Sequence, residues 1–371
     1  MNILVTGSNG FIGKNLVCKL KEENIHHIIE IDIDNTDEDL ENGIKNSDFI
    51  FHLAGVNRPK DEIEFSKGNT DFTEKIISIT EKFNKNIPIL ITSSTQVNLE
   101  NAYGKSKKEA EDKLIQYKNK NNAKIYIYRL SNVFGKWCKP NYNSAVATFC
   151  YNIANDKEVW ISDSEKIIPL IYIDDLVKEF INQVNNKNID NDIVYYEMAN
   201  VHQKKLGEIV ELLKSFKNIN LTSTIPNLKD TFTKYLYSTY LSYLNEDKLL
   251  YCLDKKSDNR GYLAELIKST TFGQIFISKT KPQITRGNHY HHTKVEKFMV
   301  IDGYAKINLR KVNESNTIEF LVKGEDLKVI DIPPGYTHSI TNISDSKELI
   351  TLFWANEIFD NKQSDTFYLE V

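Results

Sequence analysis

The segment Thr6-Gly7-Ser8-Asn9-Gly10-Phe11-Ile12-Gly13 constrains what this chain can fold into more than any other. It follows a short apolar run, Ile3 to Val5, and leads into a helical stretch from Asn15 to Lys21. Gly7 can turn tightly, Gly10 lets the main chain approach a pyrophosphate, and Gly13 lets helix pack closely on strand. Phe11 and Ile12 lie where that helix begins, and a helix N-terminus presents partial positive charge to a phosphate. Further β-rich runs, Ile28 to Ile31, Asp48 to Leu53, Ile87 to Ile91 and Ile125 to Leu130, alternate with helical patterns at Asp71 to Phe83 and Tyr103 to Tyr117. The alternation predicts an α/β, doubly wound parallel sheet, because every parallel crossover needs a covering helix.

From about Leu249 the pattern changes. Gln274 to Ser278, Lys297 to Ile301, Ala305 to Leu309, Thr317 to Val322, Lys328 to Ile332 and Leu349 to Trp354 are short runs between Gly, Pro and Asn turns, as in a β-sandwich or small barrel. Between the halves, Ile225 to Tyr243 is helical, aromatic and free of Gly, a packed junction rather than a tether. At 371 residues the chain exceeds one ordinary core, and the expected division is 1–245 and 246–371.

A formal charge of -4 excludes a global positive field for nucleic acid or anionic membrane, so any phosphate must be recognised locally. No apolar run approaches the roughly 18 residues of a membrane span, and MNILVTGSNG lacks the features of a signal peptide. The expectation is a cytoplasmic protein. Its four widely spaced cysteines read as reduced structural thiols.

Tyr103 and Lys107 form a Tyr-x-x-x-Lys pair that one helical turn places on one face. Upstream, the apolar run Ile87 to Ile91 leads into Thr92-Ser93-Ser94-Thr95, whose hydroxyls would lie at the carboxyl edge of the sheet, where open α/β proteins bind ligands. With the three glycines, this pattern resembles the extended short-chain dehydrogenase/reductase family, a Rossmann-type group acting on nucleotide sugars. Further matches are Phe51-His52-Leu53-Ala54-Gly55, Arg129-Leu130-Ser131-Asn132-Val133-Phe134-Gly135 and Ile171 to Val177. The resemblance implies Tyr103 as proton donor or acceptor, Lys107 as the group that lowers its pKa and holds the nicotinamide ribose, and a hydroxyl on the substrate oxygen. Ser94 is assigned over Ser93, with Thr95 as the fallback. Gly7, Gly10, Phe11, Ile12, Gly13, Leu53, Ala54 and Gly55 are the expected dinucleotide contacts. Asp32, ending the second strand, would accept adenosine ribose hydroxyls and repel a 2′-phosphate, which favours NADH; a solvated acidic loop is the plainer reading. Only 5 of 47 basic residues are Arg, so those kept in motifs suit the planar fork that Lys lacks. Arg58, Arg129 and Asn132 are candidates to bind a sugar nucleotide; a surface ion pair is the alternative for the arginines.

Near the other end, Arg286-Gly287-Asn288-His289-Tyr290-His291-His292-Thr293-Lys294-Val295-Glu296 holds three of the eight His. Two residues apart on a strand share a face, so His289 and His291 converge while His292 points away. Glu296 has the opposite parity and can join them only beyond a turn, on the next strand. Together with Pro333-Pro334-Gly335-Tyr336-Thr337-His338, this resembles the two motifs of the cupins, a jelly-roll barrel family. The resemblance implies a divalent metal on His289, His291, Glu296 and His338. Zinc is the default where no redox chemistry is needed, with Fe, Mn, Ni and Cu also suited; a metal-free barrel using its His as bases is the alternative. Asn259-Arg260-Gly261-Tyr262 and Arg286 also resemble cupin-like sugar-nucleotide epimerases and ketoisomerases, in which Arg contacts a diphosphate and His removes a proton beside a ketone. His289 is therefore a candidate catalytic base, and Arg260 and Arg286 candidate substrate ligands.

An extended reductase followed by an all-β cupin resembles, over the whole length, a family of bifunctional capsular-polysaccharide synthesis enzymes. That resemblance implies C3 epimerisation of UDP-2-acetamido-2,6-dideoxy-4-hexulose in the cupin, then NADPH-dependent C4 reduction, on the route to UDP-N-acetyl-L-fucosamine. NADPH is expected from the family and NADH from Asp32 alone. A homodimer is expected. Two other readings fit the motifs: a reductase or dehydratase whose cupin only docks substrate, and a dinucleotide sensor without turnover.

Overall fold

The computed structural model describes residues 1–24, 26–185, 194–360, 362 and 364–371. Contacts divide the chain into two units, Met1–Leu213 with Tyr235–Asn245, and Lys214–Lys234 with Glu246–Val371. The expected division after 245 falls on one of these boundaries. Lys214–Lys234 counts with the second unit because Lys268 donates its N–H to the Ser223 carbonyl (2.7 Å) and accepts the Ile225 N–H (2.9 Å). A shorter helix, Thr231–Leu241, replaces the junction expected over Ile225 to Tyr243.

The first unit is built on a parallel sheet in the order His27–Ile31, Asn2–Thr6, Phe49–His52, Ile89–Ser94, Ile125–Leu130, Tyr195–Tyr196. Asn2–Thr6 lies between the second and third strands, so the direction of winding reverses there and a crevice forms at its carboxyl end. The core clusters Leu4, Ile50, Ile89 and Ile127 with Ile44, Ile76 and Leu114 from the covering helices. The acidic run read as a loop is in part a helix, Asp37–Asn46. Thr36 caps it in a reciprocal bond with Asp39, and three acids sit in its first turn, where the helix dipole favours them. A small sheet of Asn132–Phe134, Ile167–Tyr172 and His202–Lys205 completes the unit's strands.

The second unit holds two antiparallel sheets. One runs Lys255–Asp258, Gly261–Ser269, Gly273–Thr280, Leu349–Ala355, Glu296–Asp302, Val329–Ile332; the other runs Thr317–Lys323, Tyr304–Lys311, Tyr336–Asn342, Thr285–Tyr290, Phe367–Tyr368. Alternate residues face one core, with Phe298, Val300 and Phe353 from the first sheet and Ile307, Leu309 and Ile340 from the second. No described helix is long and apolar enough to cross a membrane.

Candidate active sites in the two units

In the first unit a cleft of about 670 Å³ opens at the carboxyl edge of the parallel sheet, with Gly7, Gly10, Phe11, Ile12, Gly13, Leu53 and Gly55 on one side. Gly7 has φ +68°, and a Cβ there would lie 2.7 Å from the Ala54 nitrogen; a Cβ on Gly13 would lie 2.1 Å from the Gly7 carbonyl oxygen. Neither position admits a side chain, so the loop folds tightly enough for Gly10 to cap the helix Phe11–Glu23. This backbone cradle, facing an open cleft, fits a dinucleotide pyrophosphate. Asp32 does not line the cleft: its carboxylate accepts the N–H groups of Asn9 (2.7 Å) and Ile33 (2.8 Å), bracing the glycine loop.

Ser94, Thr95, Tyr103, Lys107 and Asn132 line the same cleft. Only nine positions separate Ser94 from Tyr103, and the chain closes that short span with a 3-10 turn, Thr95–Asn98, before Asn101 caps the helix Ala102–Asn121. Burial raises the Tyr103 phenol above its ordinary pKa, and a hydrogen bond with the Ser94 hydroxyl works against that rise. Ser93, the other choice, donates instead to the buried Glu111 carboxylate (2.6 Å). Lys107 donates to the Thr92 carbonyl (3.1 Å), and burial lowers its pKa to about 8, partly opposed by Glu111. Gly55 leaves room for that ammonium, since a Cβ there would lie 2.9 Å from Lys107 Nζ.

The arginines are placed differently from one another. Arg129 gives both arms to Glu111, Nε to Oε1 at 2.9 Å and Nη2 to Oε2 at 2.6 Å, and its guanidinium lies 4.4 Å from the centre of the Tyr195 ring. It does not line the cleft. Arg58 is exposed one position beyond Asn57, which does line it. Asn132 donates to the Pro169 carbonyl (3.1 Å).

Two further groups escaped sequence reasoning. Asn69, buried in a π-helical turn, bonds both ways with the Val56 backbone (3.0 and 3.1 Å) and donates to Ser106 Oγ (3.0 Å), fixing the loop over Lys107. Trp137, at φ +68°, and Tyr142 line the cleft; their only signal was aromatic residues directly after the Arg129 to Gly135 motif.

In the second unit His289, His291, Glu296 and His338 bring one ligand atom each within 4.8 Å of all the others. His289 and His338 are cross-strand partners, and Glu296 opens the next strand in the facing sheet. A bulge at Gly287, φ +94°, permits this approach: a Cβ there would lie 2.7 Å from the His338 carbonyl oxygen. His291 Nε2 and His338 Nε2 lie 3.4 and 3.2 Å from Glu296 Oε2, and none of these three buried atoms has a well-formed hydrogen bond. Converging, buried and unsatisfied nitrogen and oxygen donors fit a divalent metal. Burial alone would raise the Glu296 carboxyl; the adjacent imidazoles of His291 and His338 outweigh it and hold the group below the usual range. Arg260 forks onto Asp258 (3.0 and 2.7 Å). Arg286 donates to Thr280 Oγ1 (3.0 Å), and its buried Nη2, without a hydrogen bond, lies 3.9 Å from Asp258 Oδ1.

Fold and cleft thus define a Rossmann-type class of protein, its glycine-loop cleft fit for a dinucleotide, that carries a second, antiparallel β unit. Residues 3–195 match the NAD dependent epimerase/dehydratase family and residues 256–367 the polysaccharide biosynthesis C-terminal domain. The chain is 40% identical over 371 residues, covering 100% of itself and 99% of the relative, to UDP-2-acetamido-2,6-beta-L-arabino-hexul-4-ose reductase of Pseudomonas aeruginosa. The crystal structure of the capsular polysaccharide assembling protein CapF from Staphylococcus aureus superposes with a TM-score of 0.91 at 45% identity, covering 100% of both chains. UDP-glucuronic acid 4-epimerase from Bacillus cereus, at 19% identity and a TM-score of 0.57 over 68% of this chain and 100% of that one, shares the fold alone. The chain belongs to the CapF-like family, an NAD dependent epimerase/dehydratase domain followed by a polysaccharide biosynthesis C-terminal domain.

Proposed function

We propose that the protein is a bifunctional UDP-sugar enzyme that handles one ketone twice. Its second unit, read as a cupin, epimerises C3 of UDP-2-acetamido-2,6-dideoxy-4-hexulose. The first unit then reduces the C4 ketone to give UDP-2-acetamido-2,6-dideoxy-L-talose, on the route to UDP-N-acetyl-L-fucosamine for capsule or O-antigen. The observation that carries this reading is the gathering of Ser94, Tyr103 and buried Lys107 in one cleft floored by the glycine loop. The name of the Pseudomonas aeruginosa relative, a hexul-4-ose reductase, supports the substrate class.

The order follows from acidity. A C4 ketone acidifies the C3 hydrogen because the enolate spreads its charge onto oxygen, and reduction removes that acidity, trapping the new configuration. His289 takes the C3 proton: burial, then His338, lowers its pKa to about 4, so it is neutral and able to accept near neutrality. A divalent metal, zinc by preference, would be held by His291, Glu296 and His338, with His289 as a further ligand only where that imidazole is not the base, and would supply Lewis-acid stabilisation of developing oxygen charge. Arg260 and the Arg286 arm that makes no hydrogen bond offer charge to a diphosphate.

In the first unit Ser94 holds the C4 oxygen against Tyr103, which protonates it. NADPH supplies the hydride, with NADH the competing donor; a direct comparison of the two reduced cofactors decides between them. Lys107 orients the nicotinamide ribose and keeps positive charge near the phenol. Burial, which raises Tyr103, keeps that phenol protonated and ready to give up its proton in the reductive direction. The protein is proposed to act as a homodimer in the cytoplasm.

Incubating the full-length protein with the UDP-4-ketosugar, with and without NADPH, and reading product stereochemistry tests this scheme. The same assay carries a pH prediction. Lys107 is charged below its pKa of about 8 and neutral above it. Reduction should therefore change little from pH 6 to 7, halve near pH 8 and fall about tenfold per unit only above about pH 9 as that ammonium is lost. A rate unchanged to pH 10 contradicts the role given to Lys107.

A further inference from the structure

We propose that Asp365 is a positioning residue for the four-ligand centre, locking the His291 ring and the turn that joins His291 to Glu296; this rests on the metal reading above. Asp365 lies outside both His motifs, yet it touches every residue from His291 to Lys294. Its carboxylate accepts three successive backbone N–H groups, those of His292 (2.9 Å), Thr293 (2.7 Å) and Lys294 (2.9 Å), as well as the Thr293 hydroxyl (2.9 Å). Three N–H groups aimed at one anion form a concave nest, and the charged acceptor makes each bond stronger than a neutral one.

The main chain of the same residue acts on the ring. The Asp365 carbonyl oxygen is the partner of His291 Nδ1, and a carbonyl can only accept, so Nδ1 must carry the proton. The lone pair is then on Nε2, the atom that faces Glu296. Sequence-local forces do not set this arrangement, because His291 lies just past the strand Thr285–Tyr290 and Glu296 only begins the next one. Asp365 bridges that gap.

The segment after Asp365 is itself held against the site. Phe367 and Tyr368 pair with Tyr290 and His289, Leu369 donates its N–H to the Asn288 carbonyl (3.0 Å), and the Leu369 carbonyl accepts from Thr337, the neighbour of His338. Arg310 Nη2 donates to the Glu370 carbonyl (2.7 Å). Residues 365–370 therefore strap the strands that carry His289 and His338 while Asp365 fixes His291. Partners of this kind typically alter metal affinity by about 10- to 100-fold.

The test uses Co²⁺ as the probe, titrated into full-length protein stripped of metal, with visible absorption reporting coordination. Wild type should bind one equivalent. Asp365→Ala should bind about 10- to 100-fold more weakly and show an altered spectrum at saturation, while its NADPH binding is unchanged. Asp365→Asn keeps the volume but turns an amide N–H toward the nest, and should weaken binding in the same direction; the Tm of each metal-free variant is measured alongside. Wild-type Co²⁺ affinity and spectrum in both variants overturn the proposal, as does a drop in metal-free Tm with the saturated spectrum unaltered, which marks a merely structural strap. Failure of wild type to bind Co²⁺ overturns the metal reading itself.

Discussion

Tyr103→Phe should slow reduction of the C4 ketone by about 10²- to 10⁴-fold, the usual contribution of a positioned proton donor. The substitution removes only the phenolic oxygen, which shares the cleft with Ser94. The ring keeps its contact with Phe65, 5.6 Å between centroids, so the helix should stay in place. Cofactor affinity should therefore be near that of wild type, and the epimerised ketone should still form in the second unit. Stopped-flow oxidation of NADPH at saturating ketosugar gives the rate. Oxidation at the wild-type rate removes Tyr103 from the chemistry.

The second large effect concerns Arg129, which sequence reasoning offered as a ligand for the sugar nucleotide. The Glu111 carboxylate is fully buried and is met by both arms of Arg129 and by the Ser93 hydroxyl. Arg129→Ala would leave that charge in the interior with only the Ser93 and Tyr195 hydroxyls as partners, at a cost of about 3 to 5 kcal/mol. The double substitution with Glu111→Leu should recover most of the loss, because removing both partners removes the stranded charge. Denaturant unfolding of the three variants measures it. Unchanged stability with a raised KM would return Arg129 to the substrate.

The sequence disclosed what depends on short spacing. Three glycines after an apolar strand marked the crevice, and strand parity placed His289 and His291 together with Glu296 beyond a turn. Choices that depend on distant partners were illegible. Ser93 and Ser94 are neighbours in sequence, and what separates them is that Ser93 meets Glu111, 18 positions away, while Ser94 meets Tyr103. The resemblance implied Lys107 as the group that lowers the Tyr103 pKa; the burial that raises it had no signal in the sequence. Asn69 and Asp365 act through loops, where neither helical nor strand periodicity gives a signal. The helix Asp37–Asn46 was hidden because acids that look like a solvated run are also what the first turn of a helix favours.

Loss of the C3 hydrogen to solvent before hydride transfer is the central claim, and Tyr103→Phe protein exposes it because the ketone persists. Incubated with the UDP-4-ketosugar in heavy water and read by mass spectrometry, recovered ketone should carry one deuterium at C3, and His289→Ala should abolish that label. Recovered ketone with protium at C3 throughout, under conditions where the wild-type protein completes turnover, would contradict the two-step account.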